Sequence, residues 1–376
     1  MTHPIRQDER MKTSLLTGKK SSLLGKSLGA VDLHIHGAYG IDLMSTLSRS
    51  LSVNQLQQRF DNLSSALWEK GVAGFCPTTV SSSKKILLHS VRQLGLWIRQ
   101  DSFPGAKPLG IHLEGPFIHP HCRGAHPKKS IRPYDLDELE DLWRASLGTL
   151  KIITLAPETL STRQLRQLVH WSHPKKIHLS IGHSQASEEL ANRAFQLGMK
   201  GVTHAWNALP FHHRNPGVMG AALGKPGIFL ELILDQIHVA PTLLRWTLNL
   251  HPSQSICLIS DCLSAGGDTK NHPPEGTLGN LKIHFEKGAC RETHGQLAGG
   301  GVVLTDAYCH WLEKQAKQTR TSIKTLWQST RQQITLNPLL AIRIPKNQLS
   351  DRQVQWFLTP AGKIHVIPID STRSKR

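Results

Sequence analysis

Short apolar runs alternate along this chain with longer segments whose apolar positions recur at helical spacing. Eight runs read as strands: Val31–His36, Gly74–Thr78, Leu109–Glu114, Lys151–Leu155, Ile177–His183, Gly201–His204, Phe229–Leu234 and Ile256–Asp261. Amphipathic segments separate most of them, at Val53–Lys70, Lys84–Gln100, Leu136–Leu147, Arg163–Trp171 and Ser187–Leu197. Strand and helix repeated in this way predict an α/β protein, a closed (β/α)8 TIM-type barrel over residues 31–330. An open doubly wound sheet shares the alternation but gives no reason for polar residues to end so many strands. Residues 1–30 are polar and basic, broken by Gly18, Gly25 and Gly29. They read as a poorly ordered arm or as the remnant of a small β domain. Thr277–Phe285 and Gln355–Ile369 read as short strands, and residues 331–376 are expected to contribute to that small domain beside the barrel.

The ends of the apolar runs carry the chemistry. His34 and His36, Glu114, His183, His204 and Asp261 each stand where a strand-like run stops. A parallel barrel gathers those ends on one face, so residues far apart in sequence can converge on one ion. His34 and His36 lie two apart, which puts both on the same side of a strand. Glu114 is followed by Gly115-Pro116, which forces the strand into a loop. A carboxylate in a barrel mouth is costly unless it ligates a cation or pairs, for instance with Arg123. Imidazole nitrogen and carboxylate oxygen suit zinc or ferrous iron, and three protein ligands leave a position open for water. Asp261 would accept a proton from that water and return it to a leaving amine, unless it merely caps a following helix. The set points to a metal-dependent amide hydrolase. His212-His213-Arg214, in a loop bounded by Pro and Gly, could meet a phosphate or carboxylate or could simply face solvent.

Composition sets the limits. The 376 residues are 39% hydrophobic, and no run approaches the ~20 apolar residues of a membrane span. No apolar stretch follows the early lysines as a secretory signal would require, so a cytoplasmic location is expected. The six cysteines form no Cys-x-x-Cys pair and read as free, mostly buried thiols. The net charge is +18, which would attract polyanions. The excess is scattered, however, and no aromatic residues interleave with the short clusters at Lys128-Lys129, Lys175-Lys176 and Arg373–Arg376. A nucleic-acid partner is therefore not expected, and steering of a small anionic substrate explains the charge as well.

Seven motifs resemble those of the N-acetylglucosamine-6-phosphate deacetylase family of the amidohydrolase superfamily. They are His-Ile-His-Gly at 34–37, His-Leu-Glu-Gly-Pro-Phe at 112–117, Arg-Gly-Ala-His-Pro at 123–127, Gly-His-Ser at 182–184, Thr-His-x-x-Asn-Ala at 203–208, His-His-Arg-x-Pro-Gly at 212–217 and Leu-Ala-Gly at 297–299. The resemblance implies a barrel with a small β-sandwich domain built from the two termini, here reduced or rearranged. It implies that Glu114, His183 and His204 hold a divalent metal, zinc or iron, and that His34 and His36 support a second ion with Glu114. Asp261 matches the catalytic acid and base. His126 and His238 match contacts to the N-acetyl sugar, and Asn207 and Ala208 match contacts on the phosphate side. His213 and Arg214 match residues that reach the phosphate of a neighbouring subunit, implying a homodimer. The implied reaction hydrolyses the acetamide of a phosphorylated amino sugar, N-acetylglucosamine-6-phosphate. Alternatives are a related amidohydrolase acting on another N-acyl or cyclic amide, and an idle barrel that binds anions. Gln236, Asn215 and Gly300 stand where the family usually has Gly, Glu and Ser.

Overall fold

A computed structural model describes residues 21–44, 51–267 and 274–369. Eight parallel strands form one sheet in chain order: Ala30–Ile35, Val72–Thr79, Ile111–Glu114, Leu150–Leu155, His178–Ile181, Gly201–Val202, Phe229–Ile233 and Ile256–Ile259. The sheet closes where the first strand meets the last. Ile35 bridges Cys262 in parallel, the Asp261 N–H donates to His34 O at 2.9 Å, and the His36 N–H donates to Cys262 O at 2.9 Å. Closure bears out the barrel and excludes the open sheet. It also stitches two of the site-bearing strand ends directly together.

The helices start where the sequence supplies caps. Ser52 and Ser161 each accept from the backbone three residues on, with Gln55 and Gln164 reciprocating, while Asp135 and Ser187 cap two further helices. Each helix buries one stripe against the strands: Leu56, Phe60, Leu63 and Leu67 in Val53–Glu69, and Leu87, Val91 and Leu94 in Lys84–Ile98. Residues 331–349 pack under the same strands. Leu339, Ile342 and Leu349 join one apolar cluster with Val31, Leu33, Ile152, Ile233 and Ile259.

Among the described residues the terminal β domain is reduced to one antiparallel sheet of three strands, Ser22–Leu28, Gln353–Leu358 and Ile364–Pro368. Part of the N-terminal segment is therefore a strand, although its sequence shows little alternation. Only Leu24 of Ser22–Leu28 is buried, and Gly25 lets Trp327 approach the backbone so closely that a Cβ there would lie 2.5 Å from the ring. Residues 1–20 and the Arg373–Arg376 cluster lie outside the described residues. The two C-terminal strand-like stretches do not share a layer. Residues 275–286 form two strands of a separate meander with Ala289–Glu292 and Leu297–Gly300, which returns to the barrel through a bridge between Gly300 and Cys262. The cysteines are free, and five of the six are buried. No helix among the described residues is long and apolar enough to cross a membrane.

Candidate active site

All six strand-end residues converge. Glu114 Oε1 lies 3.1 Å from His183 Nε2, 2.9 Å from His204 Nε2 and 3.5 Å from His34 Nε2. Its Oε2 lies 3.3 Å from both His36 Nε2 and His126 Nε2. Asp261 Oδ1 sits 3.4 Å from His34 Nε2 and 3.5 Å from His36 Nε2. All of these side chains are buried. The backbone helps to aim three of them. His183, His204 and Asp261 have φ of 50°, 31° and 51°, so each strand ends in a left-handed turn that is costly for a residue with a Cβ. The two alternatives for the carboxylates fall away. Arg123 donates to the carbonyls of Gly124 and His126 rather than to Glu114, and no helix follows Asp261 directly.

The ring partners fix which nitrogen is free. His183 Nδ1 lies 2.7 Å from Cys122 O, an acceptor only, so Nδ1 carries the proton and Nε2 presents its lone pair. His34 Nδ1 lies 3.3 Å from Glu231 Oε2 and is protonated for the same reason. His126 is the opposite case. Its Nδ1 accepts from the Ser81 N–H at 3.2 Å and from the Ser81 hydroxyl at 2.7 Å, which puts its proton on Nε2. His183 Nε2, with its lone pair, lies 3.1 Å from Glu114 Oε1 and 3.0 Å from His204 Nε2, an arrangement that a positive charge between them would stabilise. The donor set therefore fits a divalent cation: Glu114, His34 and His36 have ligand atoms close enough to share one, whereas His126, with Nε2 protonated and Nδ1 taken by Ser81, has no lone pair to offer.

Electrostatics agree with that need. Burial alone would push the Glu114 carboxyl up, but His34 and the imidazoles of His126, His183 and His204 hold it well below the usual range. For His34 burial works downward, yet Glu114 and Asp261 outweigh it and raise the imidazole well above its usual value. His126 is pushed down to about 4 by burial and by His183, which keeps it neutral.

The remaining expected residues divide. His238 Nδ1 is 2.6 Å from Asp235 Oδ2, and its Nε2 is buried without a partner. Asn207 Nδ2 donates back to His204 O at 3.1 Å, and Ala208 takes a positive φ of 52°. His213 and Arg214 are exposed, on a loop pinned by a bridge between His212 and Asn215, and their side chains bond to none of the cluster within one chain. Sequence reasoning missed Glu231, Ser81 and His112. The signal for Glu231 was a lone carboxylate inside the apolar run Phe229–Ile233, and for His112 its place two residues before Glu114.

Comparison with known proteins gives the family. No family model matches the chain. The chain is 31% identical over 287 residues to N-acetylgalactosamine-6-phosphate deacetylase of Escherichia coli O157:H7, covering 75% of this chain and 71% of the relative. It belongs to the N-acetylglucosamine-6-phosphate deacetylase family of the amidohydrolase superfamily. The N-acetylglucosamine-6-phosphate deacetylase of Bacillus subtilis strain 168 is 36% identical over 242 residues, 64% of this chain but only 58% of the relative. The match thus spans about three fifths of that family member's length. In three dimensions, the N-acetylglucosamine-6-phosphate deacetylase of Thermotoga maritima superposes with a TM-score of 0.72 at 29% identity, covering 92% of this chain and 87% of that one. The likeness in three dimensions therefore takes in most of both chains.

Proposed function

We propose that this protein is a metal-dependent deacetylase that hydrolyses the acetamide of N-acetylglucosamine-6-phosphate to glucosamine-6-phosphate and acetate. One observation carries the reading: Glu114, His34, His36, His183, His204 and Asp261 meet in a single buried cluster. Glu114, His183 and His204 would hold one divalent ion, zinc or iron, and His34 and His36 with Glu114 a second. A bound cation there supplies Lewis acidity and makes water acidic enough to attack a carbonyl. Asp261 is the general base that takes the proton of the attacking water and then returns it to the departing amine nitrogen. His126, neutral and protonated on Nε2, can donate to the acetamide oxygen as negative charge develops on it. Ser81 is what holds that tautomer. His238, anchored to Asp235, leaves its buried Nε2 for the sugar, with Asn207 and Ala208 on the phosphate side.

His213 and Arg214 are too exposed to serve this chain's own cluster, which supports their reaching the phosphate of a partner copy. Phe211, 54% exposed, adjoins them, and Trp246, also 54% exposed, lies on the helix that receives the Trp206 N–H at Thr247. Exposed aromatics on this face, Phe211 adjoining the arginine loop, suit a homodimer interface. A cytoplasmic location fits a substrate that carries a phosphate.

The test is acetate release from phosphorylated and unphosphorylated N-acetylglucosamine and from the galactose epimer, with chelated enzyme reloaded with zinc or ferrous iron. Metal-dependent release from a 6-phosphorylated sugar alone is expected, and Asp261→Asn should lower kcat by at least about 10²-fold. Release from none of these sugars would overturn the substrate, and an unaffected Asp261→Asn variant would overturn the mechanism.

A further inference from the structure

Glu231 is a carboxylate in the wrong place for a solvated group. It sits mid-strand in Phe229–Ile233, 3% exposed, between apolar neighbours. Burying a charge there is expensive unless it is paired. Its Oε2 lies 3.3 Å from Nδ1 of His34, which is itself fully buried.

His112 is close by, and ligand atoms of His34, His112 and Glu231 lie within 4.8 Å of one another. That trio could be taken for a cation site of its own, but both His112 nitrogens are already engaged. Its Nδ1 donates to Leu33 O at 3.0 Å, which leaves Nε2 to accept from the Thr154 hydroxyl at 2.7 Å. Having given its proton to His112, Thr154 Oγ1 accepts from the Thr203 hydroxyl at 2.6 Å, and Ser180 Oγ lies 2.7 Å from Thr203 on the far side. His112 and these hydroxyls form a satisfied polar layer under the cluster and offer Glu231 no proton. His34 is thus its partner.

The four imidazoles proposed as ligands, around Glu114, are supported differently. His183 Nδ1 meets a backbone carbonyl, while His36 and His204 Nδ1 are buried with no partner. Among the described residues, His34 has the carboxylate support.

We propose that Glu231 is a positioning residue for the metal centre, holding His34 with Nδ1 protonated and Nε2 directed at the ion. An outer carboxylate of this kind fixes ring orientation and raises ligand basicity, and its loss typically weakens metal binding by about 10–100-fold. The proposal rests on the metal-binding reading of the cluster and not on the identity of the sugar.

Cobalt(II) is the probe, because its visible spectrum reports ligand geometry directly. The chelated 376-residue chain, Glu231→Gln and Glu231→Leu are titrated with cobalt(II), and thermal midpoints are measured before and after loading. Glu231→Gln keeps size and a hydrogen-bond acceptor but loses the charge. It should melt like the parent when chelated, yet bind cobalt about 10–100-fold more weakly with an altered spectrum. Glu231→Leu should bind more weakly still, so that Gln is a partial rescue. If the Leu variant does not fold, the Gln variant decides alone. A parental isotherm and spectrum for Glu231→Gln overturn the proposal, as does a parent chain that binds no cobalt. A parent that binds cobalt but releases no acetate from the sugar phosphate defeats the substrate reading, while the cobalt comparison still decides Glu231.

Discussion

His178 offers a quantitative test of the barrel's construction that is independent of its chemistry. It begins the strand His178–Ile181, at the opposite end from His183, and is 9% exposed. Its ring packs edge-on to Phe229 at 5.9 Å, and a Cβ on Gly201 would come within 2.3 Å of its Nε2. Burial, reinforced by the positive charge of Arg343, pushes its pKa down from 6.5 to about 4. Above pH 6.5 the ring is neutral folded or unfolded and contributes nothing to the pH dependence. As pH falls, the unfolded chain takes the proton first, so stability is lost between about pH 6.5 and 4. The loss works out at about 1 kcal/mol at pH 6 and about 2–3 kcal/mol at pH 4.5. The assay is urea unfolding of chelated protein, followed by tryptophan fluorescence, for the parent and His178→Gln at pH 7.5, 6.0 and 4.5. The metal-site groups titrate in both chains and cancel in the difference. The variant should gain on the parent by about 2–3 kcal/mol between pH 7.5 and 4.5. A stability gap that stays constant across this range would refute the claim that His178 is held neutral by burial.

Two further substitutions probe the support of the site. Ser81→Ala removes the hydroxyl that His126 Nδ1 accepts at 2.7 Å but leaves the backbone N–H, so kcat should fall about fivefold, roughly 1 kcal/mol, with the cobalt isotherm unmoved. Lost cobalt binding would show Ser81 to be a structural support of the whole cluster instead. Gly37 follows His36 so closely against the next strand that an added Cβ would lie 2.1 Å from Ile41 O. Gly37→Ala should cost about 1–3 kcal/mol in urea unfolding and lower metal affinity by displacing His36, and an unchanged midpoint would contradict the tight turn.

The barrel was legible because its strands are short, apolar and separated by helices that announce their own starts. Ser52, Ser161 and Ser187 stand at these starts and cap the helices in the structure. The six strand-end residues were legible because a polar side chain that stops an apolar run has few places to go in a closed barrel. What local pattern could not supply was partnership. Residues 275–286 and 353–368 look alike as short strands, yet one set pairs within a meander and the other with Ser22–Leu28. Strand pairing is decided by the neighbours that tertiary structure provides, and Ser22–Leu28 has too little alternation to announce itself. Glu231 and Ser81 escaped for a related reason, since each acts on a histidine far away in sequence.

The backbone of the site shows why residue type and position had to be selected together. His183, His204 and Asp261 occupy the left-handed region, where glycine would sit without strain. Glycine would relieve the backbone but remove the proposed ligand or base, so on that reading the strain is carried by residues whose side chains are needed there. Closure of the barrel supplies the constraint for Asp261, whose N–H is tied to His34 O while its carboxylate faces the His34 ring. Backbone and side chain of one strand end are thereby registered against those of another. A propensity scale would reject these positions one by one, and only the convergence of strand ends on a common charge explains why the chain tolerates all three.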